Sequence, residues 1–237
     1  MSSAGHAILR GMAASVQGWV ALVGVLATAI LGILKYFNYR TRTDRLTIVG
    51  QSFSETVDAL ASEDEIKRLA AAILLRRFFD PHTEQGSGRT PYQKEALRVI
   101  AALLRATKEQ SEFQKLLADG LGHAPDLHGA DLQGCNLSGA YLGDRLGQRV
   151  DLSGADLYKA NLSNASLRGA IAKETVFYGA TLANTVLEGA DLTSADFRDA
   201  DLAQARFGDA ILDGARFDGA RNVPDDVSAR LAAVGAP

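Results

Sequence analysis

One cysteine, Cys135, in 237 residues excludes an internal disulfide framework. Aromatic residues make up only 7% of the chain, with a single tryptophan, Trp19. The formal charge of −3 is too small to dictate a strongly acidic or basic partner. Catalytic patterns are missing as well. His6, His82, His123 and His128 are scattered, and His123 and His128 lack cysteine or carboxylate companions at ligand spacing. Glycine pairs such as Ser138-Gly139, Ser153-Gly154 and Arg168-Gly169 read as corners, and no phosphate-binding loop pattern occurs. These absences point away from an enzyme, a metal site and any cofactor.

What is present is a period of five between about Ala124 and Asn222. A large apolar residue stands at Leu127, Leu132, Leu137 and Leu142, then at Leu152, Leu157, Leu162 and Leu167. The series resumes at Phe177 and runs through Leu182, Leu187, Leu192, Phe197, Leu202, Phe207 and Leu212 to Phe217. A small residue, mostly alanine, sits two positions earlier, and Asp or Asn often lies between, as at Asp131, Asn136, Asp156 and Asp196. Neither a helix nor a strand has this period, so each unit must be one side of a polygonal coil in a solenoid.

This pattern resembles the pentapeptide-repeat family, whose signature is A(D/N)LXX. The match covers about two-fifths of the chain and keeps phase over nearly twenty units. The resemblance implies a right-handed, four-sided β-helix with four units per coil. The large residue and the small residue two before it would both point inward, which makes Cys135 a small buried hydrophobe. At the β spacing of about 4.8 Å, five coils make a rod of about 25 Å.

The rest of the chain divides around this core. Residues 1–15 form a short tail. Val16 to Leu34 is almost uninterruptedly apolar and carries no charge, near the length that spans a bilayer. With Trp19 at one end and Tyr36, Phe37 and Tyr39 at the other, residues 16–37 are expected to form a transmembrane helix. Lys35, Arg40, Arg42 and Arg45 follow the span, which puts the remainder on the cytoplasmic side of a bacterial inner membrane. Gly24, Thr28 and Gly32 recur every four residues, either as a self-association face or as the ordinary glycine content of membrane helices.

Residues 38–122 are expected to be a helical stalk and bundle. Leu46, Val49, Phe53, Val57 and Leu60 make a helical stripe, weakened at Gly50. Three capping boxes, Ser62-x-x-Glu65, Thr90-x-x-Gln93 with Pro91, and Thr107-x-x-Gln110, start three further helices. The first would bury Ile66, Leu69, Ile73 and Leu74; the second, Leu97, Ile100, Leu103 and Leu104; the third would stop at Gly120 and Gly122. The β-helix is placed at 123–222, and 223–237 as a C-terminal cap with Val227, Leu231 and Val234 on one face.

Function then rests on surfaces. If residues twenty apart stack, one column holds Ser138, Tyr158, Tyr178, Arg198 and Asp218, beside Asn136, Asp156, Val176, Asp196 and Arg216. Tyr158, Tyr178, Val176 and Arg198 are candidate partner-binding residues, since aromatics and Arg are enriched in interfaces. The alternative is that the tyrosines merely cover a flat β surface. The repeat breaks at Arg145 to Arg149, where arginine falls on an interior position and Gly147 on a centre, so the chain should bulge there. Arg145 and Arg149 therefore join the candidates, since loops carry function. It breaks again at Ala172, with Thr175 next in the small position.

Two kinds of function follow. The preferred one is a non-enzymatic, membrane-anchored scaffold for a protein partner or for self-assembly. The resemblance also implies a DNA mimic that binds gyrase, and a regulatory subunit of a membrane complex is a further alternative. A mimic needs unbroken acidic columns. Residues 124–222 hold 14 acids against 9 bases, and Ile171 and Ile211 interrupt the column through Asp151 and Asp191. Nucleic acid itself is not an expected partner.

Overall fold

The computed structural model describes residues 46–80, 83, 92–108, 111–124, 126–144 and 147–234. The expected transmembrane helix, its Gly24, Thr28 and Gly32 face, Arg145, and the Thr90-Pro91 start signal lie outside the described residues. Among the described residues no helix is long and apolar enough to cross a membrane. The chain divides into two compact units, Met1–Ile48 and Val49–Pro237. The architecture below belongs to the second.

Helix α1 is described over residues 46–60. Its stripe packs as expected, with Val49 and Leu60 buried and Phe53 partly so. The Phe53 ring meets Phe78 edge-on at 5.2 Å and Tyr92 at 5.2 Å. Gly50 is not merely a weak point, because a side chain there would run into the Tyr92 hydroxyl.

Helix α2, Glu65–Leu75, continues into a tighter turn at Arg76–Phe78. Its N-cap is Asp64, not Ser62: the carboxylate accepts from the Ile66 and Lys67 N–H groups, while Ser62 Oγ accepts from Asp64 N–H. The buried face also differs from the expected one. Ala71, Ala72 and Leu75 are buried, whereas Ile66 is 79% exposed, with Ile73 and Leu74 exposed as well. Leu69 is half-buried. Alanines let α2 come close to its neighbour, and Arg68 lies 4.9 Å over the Phe113 ring of that helix.

Helix α3, Tyr92–Ala106, buries Ala96, Ile100, Ala101 and Leu104, with Leu97 and Leu103 partly buried. Helix α4, Glu112–Leu121, is capped by Ser111, whose Oγ accepts from Gln114 N–H, rather than by Thr107. Thr107 instead donates back to the Leu103 carbonyl at 2.9 Å and closes α3. Gly120 is carried inside α4, and Gly122 is the C-cap.

From Asp126 onward the chain coils. Each side contributes one residue to a parallel bridge, followed by a two-residue turn, so no side is long enough to be an extended strand. Four ladders of bridges define four faces. Face 1 runs Asp126, Asp151, Ile171, Asp191, Ile211; face 2 runs Asp131, Asp156, Val176, Asp196, Arg216. Face 3 runs Asn136, Asn161, Thr181, Asp201, Arg221, and face 4 runs Tyr141, Ser166, Val186, Arg206. Along a ladder, Leu157 N–H donates to the Val176 carbonyl at 2.8 Å, and Val176 N–H donates to Ala155 at 2.9 Å.

The interior follows the sequence pattern. Leu132, Leu152, Leu157, Phe177, Phe197 and Phe207 are fully buried, and so are the small-site residues Cys135, Ala155 and Ala195. Burial pushes the Cys135 thiol up to about 11. Thr175 and Thr185 take the small site because their hydroxyls donate to the Leu152 and Leu162 carbonyls, both at 2.8 Å. At the second break, Ala172 keeps the regular turn and shares its coil with the larger Phe177.

The first break does change the register. Asp151, Asp156, Asn161 and Ser166 pair with residues 25 earlier, whereas later steps along the ladders are 20. One five-residue unit, at 145–149, is therefore added between the first coil and the second, and within it Gln148 still takes part in a bridge. The strict twenty-residue columns are corrected accordingly: beneath Tyr158 lies Gln133, not Ser138, and beneath Asp156 lies Asp131, not Asn136. Ser138 is 1% exposed on face 3, under α4.

Side chains replace the missing coil at each end. Arg105 of α3 donates to the Gln133 carbonyl at 2.8 Å and the Asp131 carbonyl at 3.0 Å. Gln114 Nε2 of α4 donates to the Asn136 and Ser138 carbonyls. Asn136 N–H donates to Leu104, and Tyr141 N–H to the Asp119 carboxylate. At the far end helix α5, Asp225–Val234, buries Val227, and its Arg230 donates to the Gly208 and Ala210 carbonyls.

Candidate functional site

The repeat chemistry first settles what the aspartates do. In each unit the Asp or Asn carboxyl or amide oxygen accepts from the N–H two residues on, as Asp151 from Ser153, Asp156 from Tyr158 and Asn161 from Ser163, at 2.9 to 3.1 Å. They are turn makers. The residue after that N–H lies in the left-handed region, for example Lys159 at φ 53° and Asp199 at φ 56°.

On this frame, face 2 carries the candidate residues. Tyr158 and Tyr178 sit one coil apart with ring centroids 5.7 Å apart and planes 23° from parallel. Arg198, one coil further, places its guanidinium 5.3 Å from the Tyr178 centroid, and Lys159 Nζ lies 4.9 Å from that of Tyr158. Both distances suit cation–π attraction. Val176 lies in the adjoining ladder between Asp156 and Asp196. All four of Tyr158, Val176, Tyr178 and Arg198 are half-buried.

The column is held rather than free. Arg198 grips Asp196 through Nε at 2.8 Å and Nη2 at 2.6 Å. That hydrogen bond holds the Asp196 carboxyl below its ordinary range and raises Arg198. The Tyr178 hydroxyl is raised by its hydrogen bond to Asp199, and Lys159 by its bond to Tyr158. Arg198 is thus tied laterally to Asp196, which leaves the tyrosine ring faces and edges as the contact surface.

Arg149 is not part of this column. It donates to the carbonyls of Gly169 and Ala170, at the corner between faces 4 and 1, and ties the added unit to the coil above. The sequence offered no signal for the end caps Arg105, Gln114 and Arg230, which lie in helices without a local motif. Among the described residues no group of His, Cys, Asp or Glu could hold a metal ion.

The geometry can now be set beside known proteins. A model of pentapeptide repeats matches residues 126–164, 148–171, 173–209 and 190–221, in 8 copies. A pentapeptide repeat protein from Nostoc PCC 7120 of known crystal structure is 32% identical over 40% of this chain and 80% of its own, with a TM-score of 0.18. The chain belongs to the pentapeptide-repeat family. Members of this family fold as right-handed β-helices and are generally structural or interaction proteins, not enzymes. Rfr23, a pentapeptide repeat protein of Cyanothece 51142, is 32% identical over 40% of this chain, with a TM-score of 0.37, and the match spans 62% of its length. QnrB1, a plasmid-mediated fluoroquinolone resistance protein, is 25% identical over 40% of this chain and 57% of its own, with a TM-score of 0.23. Among curated proteins no sequence matches.

Proposed function

We propose that this pentapeptide-repeat protein is a non-enzymatic scaffold that presents face 2 of its β-helix to a protein partner. The observation that carries the reading is the ladder of Tyr158, Tyr178 and Arg198, stacked on a rigid backbone and tied down at Arg198 by Asp196. A surface already fixed in place loses little conformational entropy on binding. Residues 16–37 anchor the scaffold in a bacterial inner membrane, with the β-helix in the cytoplasm. Gly24, Thr28 and Gly32 are the surface on which two such anchors pair. The partner is a membrane-associated protein or complex, which this chain assembles or regulates.

The DNA-mimic reading is weaker on the observed faces. The bridge ladder of face 1 breaks at Ile171 and Ile211, and that of face 2 breaks at Val176 and ends on Arg216. Lys173 also pairs with Asp191 at 3.1 Å, which neutralises part of what remains.

The test is affinity purification of the tagged full chain from intact membranes, beside a Tyr158→Ala/Tyr178→Ala/Arg198→Ala variant shown to fold. One protein enriched with the wild type and lost with the variant supports the scaffold and its site. Recovery of the same proteins with both sinks the ladder as the contact surface, and recovery in the soluble fraction sinks the anchor.

A further inference from the structure

The end caps follow a rule. On three faces of the first coil, the edge that has no neighbour is given donors or acceptors by side chains of the helices before it. Arg105 serves face 2 of the first coil, Gln114 serves face 3, and Asp119 serves Tyr141 on face 4. Face 1 breaks the rule. The carbonyls of Asp126 and His128 and the N–H group of Asp126 have no hydrogen-bond partner among the described residues, nor has the Asp131 N–H at the corner where face 2 begins. In an uninterrupted solenoid the coil before would supply those partners, as the Leu127 and Gly129 N–H groups do for the Asp151 and Ser153 carbonyls, and the Ala130 carbonyl for Asp156 N–H.

This open edge borders a cleft of about 560 Å³ between α3 and the first coil. Its floor is apolar, with Phe79, Ala101 and Leu127 buried. Its opposite wall carries Lys94 and Arg98, one helical turn apart, both exposed and without a partner among the described residues. Arg105, two turns beyond Arg98 on the same helix, is neutralised by Asp131 at 2.7 Å. The cleft therefore offers unpaired backbone groups on one side, unpaired cations on the other, and an apolar base.

We propose that this cleft binds a short, extended, acidic peptide segment of a partner protein, paired with the open edge as a substitute side of a coil. Strand addition to an exposed edge takes affinity from main-chain hydrogen bonds and specificity from side-chain contacts. Only a peptide meets all three demands. A fatty acid would satisfy the cations and the floor but would leave the Asp126 and His128 carbonyls without donors. A basic segment would face Lys94 and Arg98. One side of the coil sets the length at about five residues. The site lies at the base of the rod and does not depend on the tyrosine ladder.

The test uses fluorescein-labelled Ala-Asp-Leu-Glu-Glu, amidated at its end, and the full chain in detergent, read by fluorescence polarisation. Saturable binding is expected. It weakens about tenfold in a Lys94→Ala/Arg98→Ala variant, since two exposed ion pairs are lost. It is unchanged in Arg77→Ala/Lys115→Ala, which removes two exposed cations elsewhere. A peptide N-methylated at its leucine and last glutamate, and so lacking the donors for the edge, does not bind. Absence of saturable binding overturns the proposal, as does equal binding by the Lys94→Ala/Arg98→Ala variant. Equal binding of the N-methylated peptide also overturns it, because it reduces the contact to charge. The Tyr158→Ala/Tyr178→Ala/Arg198→Ala variant retains peptide binding, which separates this site from the ladder.

Discussion

The rings of Phe177 and Phe197 lie one coil apart with centroids 4.7 Å apart and planes 3° from parallel. Phe217 continues the stack 5.0 Å beyond Phe197, and Phe207 meets Phe197 edge-on at 5.7 Å. Phe197 is thus at the centre of the aromatic interior. Phe197→Ala should cost about 3–5 kcal/mol, the range for emptying a buried aromatic site. Phe197→Leu, the residue most other units use, should cost less than about 1.5 kcal/mol. Urea denaturation of both variants checks the contrast. Similar losses for both would mean that the stack matters beyond its volume.

The cap makes a second prediction. Gln114 is fully buried, and its amide is the donor for both the Asn136 and Ser138 carbonyls. Gln114→Leu keeps the bulk but leaves two carbonyls unpaired, at a cost of about 1–3 kcal/mol for each buried group. Hydrogen exchange should quicken first in the coil of residues 126–144, with the last coil unaffected. Uniform quickening would show that the cap acts on the whole rod.

Because the added unit is five residues long, as the step of 25 in place of 20 shows, its removal keeps phase. Deleting residues 145–149 joins Asp144 to Val150, which fills a small site and is 3% exposed. The shortened chain should fold with stability changed by about 1 kcal/mol, as expected for a modest loop change. A three-residue deletion at the same place shifts every later centre and should prevent folding of the rod. Far-ultraviolet circular dichroism and thermal melts distinguish the two.

Acid should weaken the rod. The Asp196 carboxyl is lowered by the hydrogen bond from Arg198, and Asp201 by that from Asn222. A carboxyl lowered in the folded state stabilises it above the unfolded value of about 3.9, and this contribution is lost as pH falls through the folded value. Melting temperature should therefore drop as pH falls below about 4. Asp196→Asn keeps the turn acceptor but removes the charge, so its melting curve should depend less on pH in this window. An identical slope in both proteins would assign acid sensitivity elsewhere.

The interior of the β-helix was legible in the sequence because a period of five leaves no freedom about which residues face inward. The misfit of Arg145 and Gly147 also located the added unit. Its effect on the surface was not carried through: columns counted in twenties placed Ser138 under Tyr158, where the structure places Gln133. The helices were harder to read. Size suggested that Ile66 and Ile73 were core, yet helix α2 packs through Ala71 and Ala72, because close approach of backbones favours small residues over large ones. The N-caps shifted from Ser62 to Asp64 and from Thr107 to Ser111, since several competent side chains lie within a few residues. Nothing local marks Gln114 or Arg105 as caps, because the groups that they serve lie 22 or more residues away.

Arg105, Gln114 and Asp119 precede the coil that they complete, and this order has a consequence for synthesis. Emerging from the ribosome, α3 and α4 can fold locally before any repeat is made. The first turn of the solenoid then meets a surface already bearing its donors, and each later turn meets the one just laid down. Growth is vectorial, from a primer that the chain carries ahead of its own template. A rod built this way never has to find its starting edge among nineteen similar units, so register errors are suppressed at its start.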